Sequence, residues 1–235
     1  MNFFADMFSV FKKREISFIE SYKESGDVYS FIFEKKNDFT WNAGQYGLIS
    51  IIHKKIKNPT KPFSIASSPS ENIIKLTTRI NNDPSEFKKA LLELKPGMKV
   101  KTSGPVGSFY LQGDSPSLLI AGGIGITPFR SILKQLEAEG NRNGTQRNLL
   151  YLDSKETFIY KNELDNLANN TSINISYLDT RDDLHNEIDR FNDMHKNNSC
   201  YYIAGPKSMV ESVTGYIQSK NISKGRIKKD AFLGY

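Results

Sequence analysis

A glycine-rich segment near the middle of the chain has the composition of a phosphate-binding turn. It reads Ala121-Gly122-Gly123-Ile124-Gly125-Ile126-Thr127-Pro128 and directly follows the apolar run 117–121. Glycine lets a backbone approach a ligand closely, and the last two residues predict a helix that Thr127 caps and Pro128 begins. A helix start presents free N–H groups and a positive dipole end to phosphate. The segment therefore predicts a nucleotide pyrophosphate site, with a tight structural turn as the alternative.

A second glycine turn reads Tyr202-Ile203-Ala204-Gly205-Pro206-Lys207-Ser208-Met209 and follows the apolar run 200–204. Ligands of parallel sheets collect beyond the carboxyl ends of the strands, so we expect both turns to face one crevice. Two such turns suit a dinucleotide.

A third segment, Lys61-Pro62-Phe63-Ser64-Ile65-Ala66-Ser67-Ser68, combines a cation, an aromatic ring and several hydroxyls. A cation can bind a pyrophosphate, a ring can pack on a flat cofactor, and a serine can hydrogen-bond a ring nitrogen. Phe63 and Ile65 also fit one buried face of a strand, because side chains two residues apart share a face. Both interpretations stay open at this point.

The elements that carry the third segment are short alternating runs of apolar and polar residues. These runs predict antiparallel strands of a small β-barrel and lie at 15–22, 28–33, 47–52, 73–80 and 98–102. One helix at 85–94 interrupts them and ends before Pro96-Gly97. Its apolar positions have helical spacing and are Phe87, Ala90, Leu91 and Leu94.

From residue 117 onward the pattern changes to apolar strand, turn and amphipathic helix. Strands are predicted at 117–121, 148–152, 173–178 and 200–204, and helices near 128–136, 161–167, 184–194 and 207–218. This alternation predicts an α/β domain with a parallel sheet covered by helices. A turn-rich joint at 112–116 sets the expected domains: an antiparallel β-barrel at 1–112 and an α/β domain at 113–235.

The composition excludes several classes of protein. The 235 residues are 38% hydrophobic and 25% charged, and no apolar run approaches the roughly 20 residues that span a bilayer. The single cysteine, Cys200, excludes an internal disulfide and any cysteine-ligated metal centre built from this chain alone. We interpret it as a small core residue. No metal site is predicted, because the histidines are scattered, at positions 53, 185 and 195.

The net charge of +6 lies entirely in the first 112 residues, which carry 17 basic and 11 acidic side chains; the rest carry 15 of each. Such a field can hold anionic cofactors or attract an acidic protein, or it is an ordinary lysine-rich surface. Dispersed lysines without a recognition motif disfavour nucleic acid. Aromatic residues precede Lys12-Lys13-Arg14, the reverse of a secretory signal, so a cytoplasmic location is predicted. The alternative is a membrane-surface foot of Phe3, Phe4, Phe8 and Phe11.

Six short segments follow one another along the chain: Trp41-Asn42-Ala43-Gly44-Gln45-Tyr46, 61–68, Gly104-Pro105-Val106-Gly107-Ser108-Phe109, 122–128, Ala204-Gly205-Pro206 with Met209, and Asp230-Ala231-Phe232-Leu233-Gly234-Tyr235. Taken in order, they resemble the ferredoxin–NADP reductase superfamily of flavoprotein electron transferases. The likeness runs from about Phe18 to Tyr235. The resemblance implies a flavin-binding antiparallel barrel followed by an NAD(P)-binding α/β domain, with FAD the usual flavin and FMN possible.

The resemblance places a flavin site in the first domain. Lys61 takes the position of the family's usual arginine at the flavin pyrophosphate, and Ser64 that of a serine close to the reactive flavin nitrogen. Because lysine lacks a guanidinium fork, we hypothesise that Arg79 supplies it. Further residues assigned to flavin binding are Tyr46, Phe63 where a tyrosine is common, and Thr78, Ile80 and Ser85 of the segment that completes the cradle.

The resemblance also assigns residues to the pyridine nucleotide and the C-terminus. Ala204 stands where many members have a cysteine, so no thiol acts at that position. Asp230 is the expected proton relay, and Phe232 and Tyr235 both stay candidates for the ring that covers the flavin. The pyrophosphate turn is matched by Gly122, Gly123, Gly125 and Thr127, and the nicotinamide side by Gly205, Pro206 and Met209.

Thr180-Arg181 resembles the serine–arginine pair that binds the 2′-phosphate in NADP-dependent members. A hydroxyl and a guanidinium are apt phosphate partners. The neighbouring Asp179, Asp182 and Asp183 make the local charge negative, and Asp153 is an acid that could accept the ribose hydroxyls of NAD. NADPH is favoured, with NADH as the alternative.

The resemblance implies an FAD-dependent oxidoreductase that passes electrons from NADPH or NADH to a separate one-electron carrier. The chain lacks cysteines for its own iron–sulfur centre, so the acceptor is another molecule, such as an acidic ferredoxin, a flavodoxin or an oxygenase component. One alternative is direct reduction of free flavin, quinone or ferric chelates. The other is a non-catalytic nucleotide-binding module.

Overall fold

The computed structural model describes residues 12–140, 145–171 and 173–232. The chain separates into two compact units between Tyr110 and Leu111. None of the helices in these three stretches is long and apolar enough to cross a membrane.

Within the described residues, the first unit is built on a six-stranded antiparallel sheet with one α-helix. The strands follow the spatial order β4-β3-β6-β1-β2-β5, so β4 and β5 are its two edges. These edges approach each other just beyond β4, where Ala66 N–H donates to Lys75 O at 2.8 Å. The elements are β1 (Arg14–Ser25), β2 (Val28–Glu34), β3 (Tyr46–Ile51), β4 (Thr60–Ser64), β5 (Ile73–Arg79), α1 (Glu86–Leu92) and β6 (Lys99–Val106).

The sheet and the helix of this unit share one hydrophobic core. The four apolar residues that predicted the helix are all buried in that core, where they meet aromatic side chains of β1 and β2. The core therefore fixes α1 against the sheet, as its helical spacing predicted. The main aromatic members are Phe18, Phe31, Phe33, Phe39, Trp41 and Phe87.

The second unit is a five-stranded parallel sheet with the strand order β11-β10-β7-β8-β9. All six residues of β7 are buried, as expected for a central strand of a parallel sheet. The elements are β7 (Ser117–Gly122), α2 (Ile126–Glu139), β8 (Arg147–Leu152), α3 (Lys161–Thr171), β9 (Asn174–Leu178), α4 (Arg181–His195), β10 (Cys200–Pro206), α5 (Lys207–Ser219) and β11 (Ile227–Phe232). The predicted fold class, an antiparallel sheet followed by an α/β parallel sheet, is confirmed.

Strand β11 was not predicted from the sequence. It lies at the edge of the sheet, where alternate residues are exposed, so its sequence Ile-Lys-Lys-Asp-Ala-Phe lacks the continuous apolar character of β7. It pairs in parallel with β10 from Tyr201 opposite Ile227 to Pro206 opposite Phe232. The C-terminal segment is thus part of the sheet as far as Phe232.

Candidate cofactor-binding sites

The residues predicted to bind flavin lie mainly on the two edge strands of the first sheet. Lys61, Phe63 and Ser64 belong to β4, and Thr78 and Arg79 belong to β5. An edge strand leaves one row of backbone N–H and C=O groups without a strand partner. Two neighbouring edges of this kind, with polar side chains on both, fit an elongated polar ligand such as the predicted flavin dinucleotide.

The predicted residue Tyr46 is held by two other segments that carry the family resemblance. It lies on β3 opposite Ser64 of β4. Its ring covers Gly107, whose φ is +96°, and a Cβ there would come within 3.0 Å of Tyr46 Cε1. Gln45 Nε2 donates to Gly107 O at 2.7 Å, and Trp41 Nε1 donates to Ser67 O at 3.2 Å. Segments distant in sequence therefore converge around the tyrosine.

One face of the Phe63 ring packs against another side chain of the protein. Its ring stacks on Phe87 of α1, with centroids 5.7 Å apart and planes 25° apart. It is half-buried against the core, and Ile65, two residues later, is 1% exposed. This placement fits the interpretation of the segment as one buried strand face. Stacking of Phe63 on a flavin stays a prediction.

The cradle segment of β5 divides between the two faces of its strand. Thr78 and Ile80 are buried on the side of Ile74 and Leu76, which belong to the core. Arg79 points to the other face, because successive side chains of a strand alternate. Of the residues of this strand predicted to bind flavin, only Arg79 brings a charged group.

Arg79 is part of a small cluster of charges next to the start of α1. Its Nη1 donates to Asp27 Oδ1 at 2.8 Å, and Asp27 O accepts from Ile80 N at 2.6 Å. Ser85 is the N-cap of α1, where its Oγ accepts from Lys88 N at 3.4 Å. One carboxylate therefore faces two cations, Arg79 and Lys88.

Lys88 was missed by the sequence analysis. Burial lowers the pKa of its ammonium group; the nearby Arg79 lowers it further, and Asp27 opposes both effects. It forms no ion pair with any residue that the structure describes. Asp27 balances only one of the two positive charges, so the cluster keeps an excess of positive charge that fits a phosphate group. A lysine three residues after an N-cap was the only available signal.

In the second unit, the two glycine turns lie side by side. They follow the adjacent parallel strands β7 and β10, in which Ala121 lies opposite Ala204. Gly205 has a φ of +153°, and a Cβ there would lie 3.1 Å from Gly122 O. A Cβ on Gly125 would lie 2.2 Å from Ala204 O. The turns interlock through their backbones, as the strand order requires.

The glycines of the first turn have different surroundings. A Cβ on Gly122 would lie 2.0 Å from Met209 Sδ, which belongs to a flexible side chain, whereas a Cβ on Gly125 would meet the backbone of Ala204 and Gly205. Gly125 is therefore the position where the backbone of the second turn occupies the space. Gly123 has a φ of +52° and no heavy atom within 4 Å of a Cβ position. Among these three glycines, Gly123 is where the backbone is open to a ligand. Pro206, the residue after Gly205, also packs near Gly122.

The prediction that Thr127 caps a helix beginning at Pro128 is wrong. A 3₁₀ turn covers Gly123–Gly125, and α2 begins at Ile126 with Gly125 as its N-cap. Ile126 N–H already donates to Gly123 O and Ile124 O, so the helix starts two residues earlier than expected. Thr127 is buried, and its hydroxyl donates to Ile124 O at 3.1 Å. Pro128 occupies the third helical position. Proline is tolerated there because it lacks an N–H, and the N–H groups of the first helical turn have no acceptor within the helix.

The C-terminal residues of β11 lie beside the strand that leads into the second glycine turn. Asp230 of β11 is opposite Ala204, and Phe232 is opposite Pro206. Both are partly buried. Tyr235, the other predicted catalytic or ring-covering residue, lies outside the described residues, as does the aromatic foot at the N-terminus.

The predicted 2′-phosphate residues lie where β9 ends and α4 begins. Thr180 is the N-cap of α4, and Arg181 is exposed. At a strand spacing of about 4.8 Å, the carboxyl end of β9 is roughly 10 Å from that of β7, a distance within reach of a dinucleotide.

Asp153, the alternative ribose partner, is engaged in its own turn. Its Oδ1 accepts from Lys155 N at 2.9 Å, and its Oδ2 accepts from Thr157 Oγ1 at 3.2 Å. The side chain is also largely buried. Both carboxylate oxygens therefore have local donors, which weakens the case for Asp153 as the group that binds ribose.

Two family models match the chain. An FAD-binding domain matches residues 9–126, and an oxidoreductase NAD-binding domain matches residues 119–215. The FAD model covers half of the chain. FAD and a pyridine nucleotide are thereby confirmed as the cofactors of these domains.

Curated relatives are similar over part of their own length. One component of the Na(+)-translocating NADH-quinone reductase of Actinobacillus pleuropneumoniae is 28% identical, over 86% of this chain and 56% of the relative. A chloroplastic leaf ferredoxin–NADP reductase from Oryza sativa subsp. indica is 29% identical, over 60% of this chain and 46% of the relative. The chain thus spans about half the length of these relatives.

Solved structures share the fold at low sequence identity. A ferredoxin–NADP⁺ reductase mutant from Plasmodium falciparum has a TM-score of 0.80 at 20% identity and covers 97% of this chain and 99% of its own. A ferredoxin NADP⁺ reductase from Neisseria gonorrhoeae with bound FAD and NADP has a TM-score of 0.77 at 14% identity, covering 94% and 98%. The Amycolatopsis cytochrome P450 reductase GcoB has a TM-score of 0.75 at 18% identity, covering 94% and 70%.

Proposed function

We propose that this chain, which belongs to the ferredoxin–NADP reductase superfamily of flavin-dependent NAD(P)H oxidoreductases, passes electrons from NADPH or NADH through FAD to a separate carrier protein. The observation that carries the proposal is the pairing, in one chain, of an FAD-binding domain with an oxidoreductase NAD-binding domain. Bound FAD accepts a hydride from the pyridine nucleotide and gives up electrons singly.

The residues of the first unit bind and orient the flavin in this proposal. Arg79 and Lys88 hold the pyrophosphate, because they are two cations facing one carboxylate next to the N-cap Ser85. Ser64, at the end of an edge strand, directs its hydroxyl to the flavin ring. Lys61 adds charge from the same strand.

The residues of the second unit bind the pyridine nucleotide. The open backbone at Gly123 approaches its pyrophosphate, and Gly205 with Pro206 borders the nicotinamide side. Thr180 and Arg181 lie at the adenosine 2′ position, where the guanidinium favours NADPH. Asp230, aligned with Ala204 on the neighbouring strand, takes up or releases the proton at its carboxylate.

The proposed acceptor is an acidic one-electron carrier such as a ferredoxin, a flavodoxin or an oxygenase component. The support is the net charge of +6 in the first 112 residues, together with the ferredoxin and cytochrome P450 reductases among the similar proteins. Opposite charges accelerate association between proteins. The similarity to a component of an NADH-quinone reductase makes a quinone the second candidate acceptor.

The experiment is an anaerobic titration of the FAD-loaded protein with NADPH and with NADH, followed by reduction of an acidic ferredoxin over a salt series. We expect the flavin absorbance to bleach and the rate of ferredoxin reduction to fall as salt rises, since screening weakens the attraction. A rate independent of salt contradicts the docking proposal. Faster reduction of a quinone or ferric chelate favours the small-acceptor alternative, and a protein that refuses added FAD supports a non-catalytic module.

A further inference from the structure

Residues 1–11 are rich in apolar side chains and have no role in the proposed function. They read Met-Asn-Phe-Phe-Ala-Asp-Met-Phe-Ser-Val-Phe, and the basic residues Lys12-Lys13-Arg14 follow them directly. Apolar side chains next to lysines are typical of segments that lie on a lipid surface, but either signal alone binds lipid weakly. The described structure begins at Lys12, and it adds further positive charge at this point.

The fold brings a second pair of lysines to the start of β1. Lys35 and Lys36 follow the end of β2, and Asp38 fixes the chain after them to the residues that precede β1. Lys12 Nζ and Arg14 Nε each lie 2.8 Å from Asp38 Oδ2. Because Lys36 is two residues from Asp38, their Cα atoms are at most about 7 Å apart. Lysines from two distant parts of the sequence therefore meet where the apolar segment joins β1.

These residues keep an excess of positive charge. Residues 12–14 and 34–38 carry five basic side chains and two acidic ones, Glu34 and Asp38. Glu34 lies 3.8 Å from Lys36, but both are exposed, and exposed ion pairs of this kind are weak. We call the five basic residues the basic patch; they are Lys12, Lys13, Arg14, Lys35 and Lys36.

The basic patch lies away from the cations assigned to the flavin. At one end of β2, Glu34 pairs with Ile73, and at the other end Val28 pairs with Arg79. Six residues of an extended strand span about 20 Å, so the patch and Arg79 are at opposite ends of this strand. The patch is therefore a second positive surface, to which no cofactor is assigned.

The residue types of the patch favour a lipid surface over a protein partner. The core of a protein interface is depleted in lysine, and arginine is its usual cation. Four of the five basic residues of the patch are lysines. Anionic headgroups attract clusters of lysine, and an adjacent apolar segment can enter the boundary between headgroups and acyl chains while the lysines stay among the headgroups.

We propose that residues 1–11 and the basic patch attach this chain reversibly to an anionic lipid surface. The phenylalanines of the segment enter the interface, and the lysines bind the headgroups. The free energies of the apolar and the charged contacts add, so the loss of either set greatly weakens binding. This attachment is independent of the coenzyme and of the electron acceptor, and it goes beyond the proposed function.

The test is sedimentation of the FAD-loaded full chain with vesicles, made either of phosphatidylcholine alone or of phosphatidylcholine with phosphatidylserine. The unaltered protein is compared with Lys35→Gln/Lys36→Gln and with a matched control, Lys55→Gln/Lys57→Gln. Both changes remove two positive charges from the first unit. Lys55 and Lys57 are exposed and lie between β3 and β4. Thermal unfolding checks that each variant folds.

We expect the unaltered protein to bind vesicles with phosphatidylserine at least about tenfold more tightly than vesicles without it, and the difference to shrink as salt rises. Lys35→Gln/Lys36→Gln should weaken this binding about tenfold, and the control less than about threefold. Phe3→Ser/Phe4→Ser, which removes two apolar side chains, should also weaken it about tenfold. Phe4→Ser alone is the second variant if the double one does not fold.

Three results overturn the inference: no binding to phosphatidylserine vesicles, an equal loss in the two lysine variants, and binding that survives the loss of the phenylalanines. If the vesicles are not bound but Lys35→Gln/Lys36→Gln slows the reduction of ferredoxin, the patch docks an acidic protein instead of lipid. The proposed function is tested separately, because bleaching of the flavin by NADPH or NADH needs no vesicle. A protein that binds the vesicles but whose flavin neither coenzyme bleaches contradicts only the proposed function.

Discussion

The two units build their candidate sites from different materials. In the second unit, the glycine turns after β7 and β10 interlock, and the space is so limited that a Cβ on Gly125 would lie 2.2 Å from Ala204 O. In the first unit, the candidate site consists of side chains on two open sheet edges and the charges of Arg79, Asp27 and Lys88. One site is shaped by backbone, and the other by charge.

This difference predicts different tolerances to substitution. A backbone site fails when any side chain enters it, because the main chain cannot move aside without breaking the strand pairing. A site built from charged side chains loses affinity in steps as each group is removed. Substitutions in the second unit should therefore act mainly through the fold, and those in the first unit through ligand affinity.

The largest effect is expected from Gly125→Ala. The added methyl would lie 2.2 Å from Ala204 O and 2.7 Å from Gly205 Cα, so the two turns must separate. We expect a loss of about 3 kcal/mol or more in the free energy of unfolding, at the upper end for overpacking, and a loss of measurable NAD(P)H-dependent flavin reduction. Thermal unfolding and an anaerobic titration with NADPH measure the two effects.

Gly215→Ala is the matched control for this substitution. Gly215 lies within α5, where a Cβ would meet no heavy atom within 4 Å. Since alanine is favoured over glycine in a helix, we expect the stability to rise by up to about 1 kcal/mol with no change in flavin reduction. A Gly125→Ala protein that is as stable and active as this control would show that the turns are not closely packed.

The sequence predicted the backbone site more fully than the charged one. The spacing of the glycines and the apolar strands before them indicated both turns and their shared edge, because strand and turn are local properties. Which glycine is open could not be predicted, since the space at Gly122 depends on Met209 from another turn. The 3₁₀ turn that displaces Thr127 from the cap position likewise depends on how the turn closes.

The charged cluster of the first unit depends on contacts between distant segments. Asp27 and Arg79 meet because Val28 of β2 pairs with Arg79 of β5, a register that the sequence pattern does not specify. The family resemblance pointed to Arg79 but not to Lys88, which belongs to none of the matching segments. Composition indicated an excess of positive charge in this half of the chain without locating it.

A smaller effect is expected from Arg79→Ala. If Arg79 binds the flavin pyrophosphate, its loss removes a charge-assisted hydrogen bond and should weaken FAD binding about 10- to 100-fold. Arg79→Lys should give an intermediate FAD affinity, because the positive charge stays but the guanidinium fork is lost. The measurement is a titration of the apoprotein with FAD, followed by the quenching of flavin fluorescence.

Lys61→Ala is the comparison for this variant. The Lys61 side chain is exposed and forms no hydrogen bond or ion pair within the described ranges, so we expect a loss of FAD affinity of about threefold or less. Unchanged FAD affinity in Arg79→Ala, with a large loss in Lys61→Ala, would place the pyrophosphate on β4 and reject the charged cluster as its binding site.

Of the three test substitutions, Gly125→Ala, Arg79→Ala and Lys88→Met, the smallest effect is expected from Lys88→Met. Burial and the neighbouring Arg79 lower the pKa of Lys88, which means that the folded apoprotein disfavours its charged form. Removing the charge should raise the melting temperature of the apoprotein slightly, because the charge is only partly buried and solvent screens much of the penalty. The same substitution should weaken FAD binding about 3- to 10-fold.

The lowered pKa of Lys88 determines how the stability difference between Lys88→Met and the unaltered apoprotein changes with pH. Below its lowered folded-state pKa, Lys88 is protonated in the folded and the unfolded chain, and the full penalty is present. As the pH rises through that pKa, the folded state releases the proton first and the penalty disappears, so the stability difference between Lys88→Met and the unaltered apoprotein should narrow. A purely structural lysine would instead give a less stable apoprotein when replaced, without a selective loss of FAD. Lys89 is the next residue of α1, and its side chain is exposed. Lys89→Met should therefore leave both the melting temperature of the apoprotein and its affinity for FAD nearly unchanged.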